Sequence, residues 1–174
     1  MLGLSAGTGK FTALLSQTQA ALIAVEPVDA LREQLSHRFQ NVLTLAGTAE
    51  AIPLDNASVD AVFCAQAFHC FSNDAALHEI HRVLKPGGKL VVLEFSKPST
   101  PFVSFFYTFY MKIVTPNMGK LFSKNRSAYK YLDESIKKFP EGKNFTGILD
   151  KLGYRNTYSK PLSLGICSIY CGEK

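Results

Sequence analysis

No stretch of these 174 residues approaches the roughly 18 consecutive apolar residues that a membrane-crossing helix needs. No charged-then-apolar leader with a cleavage site is visible either, so a secretion signal is not expected. Cysteine is scarce. Cys64, Cys70, Cys167 and Cys171 show no C-x-x-C spacing, and Cys64 and Cys167 fall inside apolar, strand-like runs. That argues for buried thiols in a reducing compartment rather than disulfides. The His78-Glu79-Ile80-His81 cluster is not H-E-x-x-H, so its histidines are expected along a helix surface and no metal site is expected. Repeats and low-complexity segments are missing too. With 47% hydrophobic and 19% charged residues, the composition is that of one soluble globular domain.

Negative charge is short in the last third. Residues 1–109 carry 7 Lys/Arg against 9 Asp/Glu, whereas residues 110–174 carry 12 against 5, a net of +7. A solvated face is the plain reading; an anionic membrane surface or an acidic partner is the sharper one. Nucleic acid is not expected, because the aromatic stretch beside the lysines lacks the interleaved Arg and aromatics of a single-strand platform.

The richest stretch is Leu2-Gly-Leu-Ser-Ala-Gly-Thr-Gly-Lys10, an apolar strand running into a glycine turn that opens a helix. Gly7 and Gly9 permit close backbone approach to a ligand, and the N–H groups of the following helix face whatever docks there. A second apolar strand, Ala21-Leu-Ile-Ala-Val25, ends on Glu26, where a carboxylate meets a nucleotide's ribose hydroxyls. A P-loop aligned on Gly9-Lys10 would put Leu4 at its first glycine and Phe11 at its Mg²⁺-binding hydroxyl, which argues against ATP and GTP. A dinucleotide fingerprint fits Gly7 and Gly9 but finds Thr12 where its third glycine belongs. The Ala6-Gly-Thr-Gly9 core resembles the loop of S-adenosylmethionine (SAM) enzymes.

Strand signals at residues 1–5, 20–26, 41–46, 59–65 and 89–95 alternate with helix signals at 9–18, 28–38 and 73–84. Such alternation predicts a parallel sheet with helices on both faces, binding ligands at the strands' carboxyl ends. Residues 5–9, Glu26, 48–50 and 65–70 would then surround one crevice. Beyond Glu94 the pattern changes. Phe102, Phe105, Phe106 and Phe109 recur on one helix face. Further helices are expected at 127–139 and 145–152, and closing strands at about 153–159 and 163–171. A final antiparallel pair resembles the way methyltransferase sheets end.

The chain thus resembles a class I SAM-dependent methyltransferase in Ala6-Gly-Thr-Gly9, Glu26, Thr48-Ala-Glu-Ala-Ile-Pro53, Asp60 and Arg82-Val-Leu-Lys-Pro-Gly-Gly88. From about residue 90 it is similar to the UbiE family, in Leu93-Glu-Phe-Ser-Lys-Pro98, Tyr129-Lys-Tyr-Leu-Asp-Glu-Ser-Ile136 with Phe139-Pro140, and Leu162-Ser-Leu-Gly-Ile166. Those enzymes C-methylate the ring of ubiquinone and menaquinone precursors. The resemblance implies a Rossmann-like α/β fold with a seven-stranded, mostly parallel sheet whose last strand is antiparallel. Residues 1–95 would be the cofactor half of a single domain and 96–174 the acceptor side. It also implies that Gly7, Thr8 and Gly9 bracket the amino-acid and ribose part of SAM. Glu26 would take the ribose hydroxyls, Thr48 and Ala49 would flank the adenine, and Ala65 would lie near the methionine moiety. The implied partner is a small, lipophilic quinol. The implied location is the cytoplasm, with a peripheral position at the inner membrane face, on the matrix side in a mitochondrion.

Four features depart from that pattern. Gly3 stands where the first strand usually carries an acid, Ser5 replaces the loop's first small residue, and the chain starts without the helices that usually precede that strand. Gln66-Ala-Phe-His-Cys-Phe71 replaces an Arg-Asn pair and resembles a broader group of small-molecule methyltransferases. Two alternatives stay open at this point: a methyltransferase for another small molecule, and a truncated, catalytically weak SAM-binding paralogue. C-methylation of a phenolic ring calls for a base that deprotonates the hydroxyl, and His69 is the histidine placed for it; a packed loop histidine is the plainer reading. For the 102–111 helix the readings are core packing, a homodimer contact, or an apolar lid over an isoprenoid tail. Lys112, Lys120, Lys124 and Arg126 would then face anionic lipid.

Overall fold

The computed structural model describes residues 1–96, 98 and 139–174. The expected helix at 102–111, and the one at 127–139 except for its last residue, lie outside the described residues.

Seven strands form one sheet: β1 (Leu2–Leu4), β2 (Leu22–Val25), β3 (Val42–Leu45), β4 (Val59–Ala65), β5 (Leu84–Phe95), β6 (Arg155–Leu162) and β7 (Cys167–Glu173). Their order is β3-β2-β1-β4-β5-β7-β6. Strands β1 to β5 pair in parallel, and β7 is antiparallel to both β5 and β6. This is the Rossmann-like methyltransferase sheet expected above. The order reverses at β1, so the crevice between β1 and β4 opens at the carboxyl ends of both strands.

Period-2 alternation sorts the side chains onto two faces. Leu2 and Leu4 of β1 point into the larger core with Val62 and Cys64 of β4 and Leu90 and Val92 of β5. That face is covered by α3 (Asp74–Val83) and α4 (Lys143–Lys151), whose Leu77, Ile80, Phe145 and Leu149 are buried. Each such side chain contributes about 1.5–3 kcal/mol. The opposite face carries α1 (Thr12–Leu15) and α2 (Asp29–Arg38), with Leu15, Leu22, Ala24, Leu35 and Val42 at its core. Gly3 and Phe63 face this side.

Three expectations shift, the first being β5, expected over 89–95, which begins earlier, at Leu84. The helix expected over 9–18 contracts to the four residues of α1, because the Ser16 and Thr18 hydroxyls donate to the carbonyls of Ala13 and Leu15 and close the segment. The closing strands begin later than expected, at Arg155 and Cys167, because a turn of left-handed residues (Ser163, Leu164 and Gly165) joins them. By contrast, α3 starts where Asn73 signals it: the Asn73 side chain accepts the Ala76 N–H at 2.8 Å.

Candidate active site

Backbone geometry sets the site first. At the carboxyl ends of β1 and β4, Ser5 (φ 51°) and Gln66 (φ 53°) adopt left-handed conformations that cost a non-glycine residue on the order of 1 kcal/mol each. Both line a cleft of about 440 Å³ with Ala6, Gly7, Thr8, Phe11, Phe63, Ala65 and Leu93. The two loop glycines have different tasks. At Gly7 (φ 55°) a Cβ would meet nothing within 4 Å, so the missing side chain leaves an open cradle in the cleft wall. At Gly9 (φ 80°) a Cβ would sit 2.5 Å from both Leu35 Cδ1 and Phe39 Cε2. Gly9 is therefore a packing glycine that lets the loop close on α2.

Glu26, 3% exposed, ties the second strand to this loop. Its Oε2 accepts the Gly7 N–H at 2.8 Å, and its Oε1 accepts the Val28 N–H at 3.0 Å. A carboxylate offers about four acceptor positions, so roughly two remain for a vicinal diol beside Gly7. The donor set and the Gly7 cradle thus fit the ribose end of a nucleoside cofactor.

The loop between β3 and β4 is held from α3. Thr48 is exposed and bridges to Ala51, whereas Ala49 is 3% exposed and packs into the larger core. The Asn73 amide donates to Glu50 at 2.9 Å. Glu79 accepts the Ile52 N–H at 3.0 Å and takes Arg82 in a two-point pair at 2.7 and 2.8 Å. Arg82 also donates to the Ile52 and Leu54 carbonyls and to Asn56. The Arg82 hydrogen bond, the largest cause, holds the Glu79 carboxyl below its ordinary value of 4.5. The pair therefore stabilises the fold fully above that ordinary value and less as pH falls through the depressed one. Arg82→Met should cost about 1–3 kcal/mol at neutral pH and flatten the acid limb of stability, measured as urea midpoints from pH 7 to pH 3. An unchanged acid limb would contradict this clamp.

His69 sits on the 3₁₀ turn Phe68–Cys70, which directly follows Gln66 and Ala67 of the cleft lining. Its Nδ1 lies 2.9 Å from Glu94 Oε2, and its backbone N–H donates to Glu94 Oε1 at 3.3 Å. The two side chains are 3% and 1% exposed. Phe68 anchors this turn, its ring 5.1 Å from Phe71 and 5.2 Å from Phe145, while Phe145 stands 5.1 Å from Tyr170.

Among the expected site residues, Gly7, Thr8 and Ala65 line the cleft, and Glu26 joins them through Gly7. Gly9, Thr48, Ala49 and His69 do not line it. Gln66 falls in the 65–70 segment expected at the crevice, whereas Phe63, Leu93 and Glu94 were not singled out from the sequence as site residues. Glu94 did carry a signal, as the one carboxylate in the run Leu90-Val-Val-Leu-Glu-Phe95. Among the described residues no group of three His, Cys, Asp or Glu could hold a metal ion, and no helix is long and apolar enough to cross a membrane.

Comparison with known proteins decides between the cofactor readings. The ubiE/COQ5 methyltransferase family matches residues 1–174. The chain belongs to that family. It is a methyltransferase, and its methyl donor is S-adenosylmethionine. A demethylmenaquinone methyltransferase of Clavibacter sepedonicus is 35% identical over 178 residues, spanning 100% of this chain and 73% of the relative. A mitochondrial 2-methoxy-6-polyprenyl-1,4-benzoquinol methylase of Dictyostelium discoideum is 43% identical over 106 residues, 61% of this chain and 34% of that one. In fold, this family member is similar to a SAM-dependent methyltransferase of Thermotoga maritima, a possible histamine N-methyltransferase. That likeness has a TM-score of 0.69 at 22% identity and covers 99% of this chain and 80% of that one.

Proposed function

We propose that this methyltransferase C-methylates the ring of a polyprenylated quinol precursor. The observation that carries the reading is the match over 100% of this chain, and 70–73% of each relative, to proteins named as a demethylmenaquinone methyltransferase and a ubiquinone/menaquinone biosynthesis C-methyltransferase, at 32–35% identity. The chemistry starts from SAM, a sulfonium whose methyl leaves by in-line displacement, so the protein's main task is to position donor and acceptor. Gly7 and Thr8 would accept the donor's backbone-contacting part, Glu26 its ribose hydroxyls, Thr48 and Ala49 its adenine, and Ala65 would border its methionine end. Ala49 acts here from beneath, as a buried support for the Thr48 backbone.

A ring carbon ortho to a hydroxyl becomes nucleophilic once that hydroxyl loses its proton. The proton goes to a base, the ring carbon forms the new bond to the methyl, and the sulfonium leaves as the neutral thioether; the methylated carbon then sheds its hydrogen as a proton, which restores the aromatic ring and its hydroxyl. In this reading the base is His69, which does not itself line the cleft of the described residues and would meet the acceptor hydroxyl through its Nε2. Incubation with ¹³C-methyl SAM and a polyprenylated demethylquinol should place the label on a ring carbon. Label on an oxygen, or none on any quinol, would overturn the reading in favour of another small-molecule acceptor.

The quinol's apolar tail suggests contact with an anionic membrane surface through the basic last third of the chain. Co-sedimentation with phosphatidylglycerol vesicles should exceed that with neutral vesicles; equal binding would remove the membrane contact.

A further inference from the structure

Glu94 has no task in the methyl-transfer chemistry outlined so far, yet it is one of the most deeply buried residues of the described chain. Burying a carboxylate costs several kcal/mol unless it is paired and hydrogen-bonded. Here both of its oxygens are directed at one residue, Oε1 to the His69 backbone N–H and Oε2 to the His69 ring. A single contact would tether the turn. The pair of contacts fixes the position of His69 and the rotation of its imidazole together. The hold is rigid on both sides: Glu94 lies within β5, paired across to Ser168 of β7, and the fully buried Phe68 locks the turn from below.

We propose that Glu94 is the positioning residue of the proton-accepting step: it keeps the proton of neutral His69 on Nδ1 and so presents unprotonated Nε2 to the acceptor hydroxyl. This deepens the quinol reading and rests on His69 acting as its base. In this proposal Glu94 acts as a carboxylate, which only accepts, so the ring nitrogen 2.9 Å from it is the one that carries hydrogen. When Nε2 then takes the hydroxyl proton, the resulting imidazolium faces a carboxylate in a water-poor setting, where their attraction is strong. The other titratable groups that feel the Glu94 charge are Cys64 on β4, Cys70 on the 3₁₀ turn and Tyr170 on β7. Burial first, and that charge second for the two thiols, push all three upward, so they stay neutral while His69 works.

Glu94→Gln keeps an oxygen and the shape but loses the charge, and its amide can donate to Nδ1 and turn the ring to the wrong tautomer. The expected result is a fall in kcat of about 10- to 10³-fold, with the KM for SAM within about twofold. Wild-type ¹⁵N spectra of His69 should show the Nδ1–H tautomer, a readout that needs no variant to fold. An Nε2–H tautomer in the wild type, or a normal kcat in Glu94→Gln, overturns the proposal. His69→Gln separates the two layers. If it leaves turnover unchanged, the base assignment itself falls; if it cuts turnover while Glu94→Gln does not, Glu94 alone is removed from the mechanism.

Discussion

Glu26→Gln should raise the Kd for SAM by about 10- to 100-fold, the loss expected when a charged acceptor to a diol becomes a neutral, half-donating amide. The carboxylate accepts from two backbone N–H groups, Gly7 at 2.8 Å and Val28 at 3.0 Å. A glutamine cannot accept from both, because one of its two positions becomes an NH₂ group facing an N–H. The loop between β1 and α1 therefore loses its tie to β2 at the same time as the ribose loses its acceptor. Stability should fall by about 1–3 kcal/mol, the cost of leaving a buried donor unpaired. Calorimetric titration with SAM checks the first effect and thermal unfolding the second. A Kd within about threefold of the wild type would remove Glu26 from the cofactor site, whatever happens to stability.

Gly9→Ala should be the most damaging single-methyl change in the loop. The new Cβ would lie 2.5 Å from Leu35 Cδ1 and from Phe39 Cε2, and Leu35 is fully buried on α2. The backbone at φ 80° adds strain of its own. Overpacking and strain together are expected to cost about 2–4 kcal/mol, lowering Tm by roughly 5–15 °C. Gly7→Ala supplies the contrast. Its Cβ meets no protein atom within 4 Å, so only the left-handed backbone at φ 55° costs stability, about 1 kcal/mol or roughly 2–4 °C in Tm, while its effect on SAM binding should be large, because it projects into the cradle. Equal Tm losses for the two variants would contradict the division of labour between these glycines.

Much of the sheet was legible because buried strands announce themselves as short apolar runs bounded by turn signals. The runs at 20–26, 41–46 and 59–65 correspond to β2, β3 and β4 within one or two residues. Helix α1 was overestimated because Ser16 and Thr18 act locally, their hydroxyls competing for the carbonyls that a longer helix would use. In the site, Glu26 and Gly7 were legible because both stand at strand ends, where a parallel sheet presents its ligands. The separate role of Gly9 was not, since a packing glycine and a ligand-approach glycine look alike until Leu35 and Phe39 arrive from α2. Likewise, Glu94 and His69 stand 25 residues apart, and only the pairing of β4 with β5 brings them together.

Amide NMR of the protein during titration with SAM tests the central claim most directly, with NAD as the competing nucleotide. SAM should shift the resonances of Gly7, Thr8, Val28 and Thr48 together and saturably, and NAD should leave them unmoved. If NAD shifts the same four amides as strongly as SAM, or SAM shifts none of them, the cofactor site at the carboxyl ends of β1, β2 and β3 is contradicted.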